Sequence, residues 1–261
     1  MPKLKHFRIL NIQHFVVFVT IINITSCRQG TASLKNVDAK ELSIDSTAAE
    51  VVSIEEFVRP YRERVNVILD STLAYAPYSI SKTDGTYNSS AGNLMADLIL
   101  SEANPIFKIR TGKDIDFVLI NHGGIRASIS KGNVSARTAY EVMPFENNIS
   151  VVALNSTSVL ELVDYLVKSK RAHPVAGIQI ILNTNDTLHS VSIQGKPLDE
   201  NTLYYVATSD YLVSGGDDMV FFKNGVSFTT LEYKIRNAII DYFSKVDTLS
   251  PKIDNRYYKL D

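Results

Sequence analysis

One short run limits what this chain can become. After Asp116, the residues Phe117-Val118-Leu119-Ile120 are apolar without a break. A strand with one face in water alternates apolar and polar residues, so an unbroken run predicts a strand covered on both faces. Such a strand needs a layered molecule with helices packed against a sheet. Directly behind it comes Asn121-His122-Gly123-Gly124-Ile125-Arg126, which puts an amide, an imidazole, two glycines and a guanidinium at the strand's exit.

The rest of the pattern supplies the layers. Ser53-Ile54-Glu55-Glu56 reads as a capping box with Ser53 as N-cap. Phe57, Tyr61, Val65, Ile68 and Leu69 follow it at helical spacing, with Pro60 as a kink or as the true first turn. Residues 73–80 are strand-like, and Pro77 places them at an edge or a bulge. Residues 89–103 form a helix with Leu94, Met95, Leu98 and Ile99 on one face. Ser135 caps a short helix, residues 149–154 form a strand, and residues 157–169 form a helix with Val159, Leu162, Val163 and Leu166 inward. Residues 177–183, 188–195 and 203–213 alternate as strands, 196–201 is a polar turn, and 229–245 is a final helix. Strands and helices interleave without a regular βαβ rhythm, so the expected fold class is mixed α/β (α+β), a mixed sheet with flanking helices.

The first 52 residues read differently. Lys3, Lys5 and Arg8 precede a largely apolar stretch that ends Ile24-Thr25-Ser26-Cys27, the order of an export signal. Cys27 is the only cysteine and follows small residues, which resembles the lipobox of bacterial lipoproteins. The expectation is a signal at 1–26, lipid on Cys27 and a membrane-anchored product. Asn11, Gln13, His14 and Asn23 interrupt the stretch, against the ~20 predominantly apolar residues of a spanning helix. Loss of three cations moves the formal charge from −1 to −4. Residues 27–52 are mostly small and polar and serve as a tether, spanning roughly 25–30 Å as a coil. Residues 53–261 are the folded domain. The expected location is the cell envelope of a Gram-negative-type bacterium, at the periplasmic or outer-membrane face. Arg28 after the cysteine, rather than Asp, points by analogy to the outer membrane.

No basic face suggests nucleic acid. Hydrolytic chemistry needs a nucleophile with a base, a carboxylate pair or a metal. The sequence has no Gly-x-Ser-x-Gly, His-Glu-x-x-His or Walker loop, and His122, His173 and His189 are isolated. Three segments nonetheless suit a ligand. In Asn121–Arg126, paired glycines admit a close backbone approach and Arg126 can grip a phosphate or carboxylate. Pro144-Phe145-Glu146-Asn147 can hold a ring at a strand mouth. Ser209–Asp217 puts Tyr211 near Gly215-Gly216 and Asp217. Two aromatics can sandwich a flat heterocycle, and a carboxylate can accept from ribose hydroxyls. Taken alone, the first segment is more simply a tight turn with a surface Arg, and the second a packed Phe.

In order, Gly92–Asp97, Asn121–Arg126, Pro144–Asn147, Gly177-Ile178, Ser214–Asp217 and, weakly, Asn255-Arg256 resemble the C-terminal domain of the 5′-nucleotidase family, from about Leu73 onward. The resemblance implies that this domain holds a nucleotide or nucleoside. Phe145 and Tyr211 would stack on the base, Asp217 would bind ribose hydroxyls, Arg126 would contact phosphate, and Asn121 and Asn147 would contact the base or its surroundings. Tyr211 stands where the family usually has Phe, and His122 where it usually has Gly. The family's extra arginines before the Gly-Asn-Leu helix are missing, with only Lys82 in residues 81–88. The family's two-metal site lies on a separate N-terminal domain whose Asp-x-His and Gly-Asn-His-Asp/Glu motifs are absent here. The expectation is therefore half an enzyme. It has no cofactor of its own, and its partner is a metallophosphoesterase subunit carrying the divalent metal pair. The alternatives are a non-catalytic nucleotide-binding lipoprotein and a scaffold without a ligand.

Overall fold

The computed structural model describes residues 12–21, 34–45 and 49–261. Cys27, the expected lipidation site, lies outside the described residues, as does most of the signal segment. The chain forms two units, Met1–Val52 and Ser53–Asp261. In the first, residues 12–21 are helical and 34–45 have no regular structure. Among the described residues no helix is long and apolar enough to cross a membrane.

In chain order the elements of the second unit are α1 (Val52–Asp70), β1 (Thr72–Ala76), α2 (Ser90–Thr111), β2 (Phe117–Leu119), β3 (Gly132–Ser135), α3 (Ala136–Val142), β4 (Asn148–Leu154), α4 (Ser156–Ser169), β5 (Val175–Ala176), β6 (Ile178–Leu182), β7 (Leu188–Ile193), β8 (Lys196–Pro197), β9 (Tyr204–Ser209), α5 (Asp210–Val213), β10 (Ser227–Lys234), α6 (Ile235–Lys245) and β11 (Tyr257–Lys259).

The central sheet has five strands in the order β10-β4-β9-β2-β5. Only β2 and β9 run parallel, and every other pair in it is antiparallel. The unbroken apolar run behaves as its pattern demands. Val118 and Ile120 join one core with Ile149, Val151 and Ala207, against α2 and α6. Phe117 and Leu119 join a second core with Val152, Leu154 and Val206, against α4. Successive residues of one strand feed opposite cores because side chains alternate across a sheet. Two smaller sheets, β1-β3 and β11-β6-β7-β8, complete the unit.

Capping chemistry sets the helix ends. Ser89 caps α2 by accepting from the Gly92 N–H at 3.1 Å. Leu94, Met95, Leu98 and Ile99 are all buried. The helix continues beyond Ala103, through Pro105, and stops at Gly112, whose left-handed backbone ends it. Asn155 caps α4, which starts one residue before Thr157 and buries Val159, Leu162, Val163 and Leu166.

Several expectations need correction. The chain enters α1 at Val52, so Ser53 sits inside the first turn instead of capping it. That helix buries no residue, and Phe57, Tyr61, Val65 and Ile68 are exposed. Residues 203–213 are not one strand: β9 ends at Ser209, whose hydroxyl caps the short helix α5 by accepting from the Leu212 N–H. The polar turn at 196–201 begins with the two-residue strand β8. The final helix begins at Ile235, because Ser227–Lys234 pair antiparallel with β4. Helical periodicity across 229–245 is overridden there by the free edge of β4. A register shift after Thr230, with Glu232 at φ 52°, lets the strand turn into α6.

Candidate functional site

Three loops leave the strands of the central sheet and meet around one cavity of about 290 Å³. Its lining is Asn121, Gly123, Gly124, Arg126, Phe145, Asn147, Tyr211 and Asp217. All six side chains singled out in the sequence are among these residues. His122 is not. The parallel pairing of β2 with β9 and the antiparallel pairing of β9 with β4 explain the convergence. The C-terminal ends of β2 and β9 lie beside the N-terminal end of β4, so the segments after Leu119, after Ser209 and before Asn148 emerge on one side.

The first loop is a single tight turn. The Gly124 N–H donates to the Asn121 carbonyl at 3.1 Å and the Ile125 N–H to the His122 carbonyl at 3.3 Å. A side chain on Gly124 would bring its Cβ to 2.8 Å from Asn121 Oδ1, which explains the second glycine. That glycine's N–H is already engaged within the turn, so it is not held out for a ligand as the sequence alone suggested. Arg126 is exposed, its guanidinium carbon 5.9 Å from the centre of the Phe145 ring, at the outer limit for a cation–π contact. Lys82, the lone cation of its loop, donates to the Ile125 carbonyl at 2.6 Å and so stands beside the same turn.

The third loop is held in an uncommon conformation. Gly215, Asp217 and Asp218 have φ of 92°, 52° and 58°. Left-handed backbone costs a non-glycine residue about 1–2 kcal/mol, and Asp is among the few side chains that visit it. Tyr165 of α4 supports the turn by donating its hydroxyl to the Asp217 carbonyl at 2.8 Å. Burial and the nearby Asp217 raise the Tyr165 pKa, which keeps the phenol a donor. The Tyr211 ring lies directly on Gly216, where a Cβ would come within 2.4 Å of it.

Asp217 is the hub. Its Oδ2 accepts from Asn121 Nδ2 at 2.6 Å and its Oδ1 from the Tyr211 hydroxyl at 3.2 Å. One carboxylate thereby ties the first loop to the third. The Tyr211 hydroxyl, which a Phe would lack, makes one of these bonds. Phe145 and Tyr211 are each about two-fifths exposed, at 39% and 43%, so both rings keep face area for a ligand.

Two buried groups near the site gave little sequence signal. The His122 N–H donates to Nδ1 of His173 at 3.2 Å, and the His122 ring approaches the Ala172 carbonyl at 3.3 Å. His122 thus faces the structural side of its turn. His173 is 3% exposed and its Nε2 has no hydrogen-bond partner. Burial first, then the charge on His122, pushes the His173 pKa down to about 4. The other is Arg236, buried behind the Phe145 loop. Two further motifs serve the fold. Arg256 pairs with Asp97 at 2.8 Å and Asp254 at 2.7 Å, and Asn93 donates to Asn88 and to the Lys252 carbonyl. They fasten the C-terminal segment to α2. Among the described residues no three His, Cys, Asp or Glu side chains stand close enough to hold a metal ion.

The fold agrees with the comparisons. Residues 71–224, more than half of the chain, match the 5′-nucleotidase C-terminal domain, and the chain belongs to that family. The 5′-nucleotidase of Vibrio cholerae is 26% identical over 232 residues, which are 85% of this chain and 39% of the relative. Protein UshA of Escherichia coli is 27% identical over 150 residues, 55% of this chain and 26% of the relative. In fold, the 5′-nucleotidase precursor of Thermus thermophilus superposes with a TM-score of 0.66 at 22% identity, covering 80% of this chain and 43% of that one. The chain therefore spans less than half the length of these relatives.

Proposed function

We propose that this domain binds a nucleotide and presents it to a phosphoesterase centre carried by another polypeptide, as one half of a 5′-nucleotidase-type hydrolase. The observation that carries the reading is the convergence of two exposed rings, a carboxylate, two amides and a guanidinium on one cavity. The rings stack on the base, Asp217 accepts from the ribose hydroxyls by exchanging its bonds to Asn121 and Tyr211, and Arg126 faces the phosphate. Lys82 is engaged with the Ile125 carbonyl beside the same turn and does not line the cavity, so Arg126 is the cation that faces the ligand. This chain's part in catalysis is orientation of the substrate. Family membership supports the nucleotide as the ligand of this domain.

The test is calorimetry with AMP, adenosine and a UDP-sugar, followed by a 5′-nucleotidase assay with divalent metal, with and without a candidate metallophosphoesterase. Binding by the chain alone and turnover only in the mixture are expected. Turnover by the chain alone, surviving rigorous purification, would sink the half-enzyme reading. Binding without turnover in any mixture would favour a non-catalytic nucleotide binder.

The same proposal places the domain at the cell envelope, held by lipid on Cys27. Its support is the order of cationic, apolar and small residues before the single cysteine. Expressed with radiolabelled palmitate, the full chain is expected to take up label and to lose it in Cys27→Ser. Equal labelling of both would refute the anchor.

A further inference from the structure

The Phe145 loop is fastened by a group that the binding roles above do not use. Arg236 lies in the first turn of α6 and is 5% exposed. Its Nη1 donates to the carbonyls of Pro144 and Phe145, at 3.3 and 3.4 Å, and its Nη2 to the Glu146 carboxylate. The guanidinium rests over the Tyr140 ring, 4.1 Å from its centre. The neighbours of Arg236 work on the same loop: Lys234 pairs with Glu146, and the Ile235 N–H donates to the Asn147 carbonyl at 3.0 Å. On the other side, Asp210 accepts from both the backbone and the side-chain N–H of Asn148 at 3.1 Å. Asp210 opens the short helix that carries Tyr211.

A buried guanidinium is costly to desolvate, and an apolar side chain could fill this space at less expense. What the arginine supplies is a planar fork that reaches two consecutive carbonyls and a carboxylate at once. Its Nε is left without a partner, so the group is placed for the loop rather than for its own satisfaction. We propose that Arg236 is a positioning residue for ligand binding: it fixes the Pro144–Glu146 loop so that the Phe145 ring stands at a set distance from Tyr211, with the Asp210–Asn148 link holding the other side of the gap. A slot held open in advance spares a flat ligand the ordering of that loop on binding. The ligand part of this inference rests on the nucleotide reading above, while the clamp itself does not.

The protein has no tryptophan, so Phe145→Trp makes a single fluorescent reporter at the ring position. In that background Arg236→Met keeps much of the arginine's volume and removes the fork. Time-resolved anisotropy is expected to show a large fast component that is absent with Arg236 in place, while the melting temperature of the domain changes little. In the Phe145 protein, Arg236→Met is expected to weaken AMP binding about 10-fold, chiefly through faster dissociation, and Arg236→Lys to recover only part of the loss. If Arg236→Met does not fold, Arg236→Lys carries the same test, because one ammonium cannot span both carbonyls and the carboxylate. Unchanged anisotropy in a folded variant overturns the clamp. A mobile indole reporter together with unchanged AMP affinity overturns the positioning role. If wild type binds no AMP while the anisotropy still responds, the clamp stands and the nucleotide reading fails.

Discussion

Removing both rings, as Phe145→Ala with Tyr211→Ala, is expected to weaken AMP binding about 100-fold while the fold persists. Both rings line the same cavity and are substantially exposed, so neither supports the core. Stacking of a base on an aromatic side chain is worth about 1–3 kcal/mol per ring by alanine substitution. The two losses together come to about 2–6 kcal/mol, and 100-fold lies within that range. The two rings are not equivalent. Tyr211 also donates to Asp217, so Tyr211→Phe isolates the hydroxyl from the stacking face. That variant is expected to keep affinity within a few-fold, because Asp217 Oδ1 is then open for a ribose hydroxyl. Calorimetry with AMP and with its 2′,3′-dideoxy analogue separates base from sugar: Asp217→Asn should reduce the preference for AMP over the analogue, and the ring deletions should reduce both affinities alike. Wild-type affinity in the double-alanine protein would remove the stacking assignment.

Much of this site was legible because its residues sit at places where the backbone pattern changes. Asn121–Arg126 follows the unbroken strand run, Phe145 follows a proline just before an apolar strand, and Asp217 follows paired glycines. Proximity was a different matter. It depends on β9 lying between β4 and β2, and no local pattern encodes that order. The misplaced boundaries have the same origin. Thr229–Lys234 can satisfy helical spacing, but the edge of β4 offers it backbone partners over a long stretch. Asp210–Val213 continues an apolar alternation, yet the capping hydroxyl of Ser209 turns it into a helix, and that turn aims Tyr211. His173 and Arg236 were invisible for a further reason. Each looks like an ordinary polar residue in sequence, and its importance comes from being buried against a loop distant along the chain. The exposed stripe of α1 shows the converse, since a correct helical period does not guarantee burial within the same unit.

Acidification is expected to weaken the folded state through His173. Its ring accepts the His122 N–H at Nδ1, so the remaining proton sits on Nε2, in a space that offers no partner. Protonating Nδ1 would break the bond to His122 and put a charge into a buried pocket. The folded-state pKa is accordingly about 4, against 6.5 as the ordinary value. Between those values the unfolded chain binds a proton that the folded chain refuses, so stability is complete above about pH 6.5 and is lost progressively as pH falls toward 4. Each pH unit between the two values is worth about 1.4 kcal/mol, which makes the whole window about 3 kcal/mol. His173→Asn keeps an acceptor near the His122 N–H and removes the titration. Urea unfolding of both proteins at pH 7, 5.5 and 4 should show wild type losing about 3 kcal/mol more than the variant, with the two curves diverging below about pH 6.5. Parallel curves would show that the ring takes its proton as readily in the folded state. The same protonation should loosen the turn that holds Asn121 against Asp217, so AMP affinity is expected to fall in wild type only as the pH nears 4, where the folded ring takes up its proton, and to stay flatter in His173→Asn.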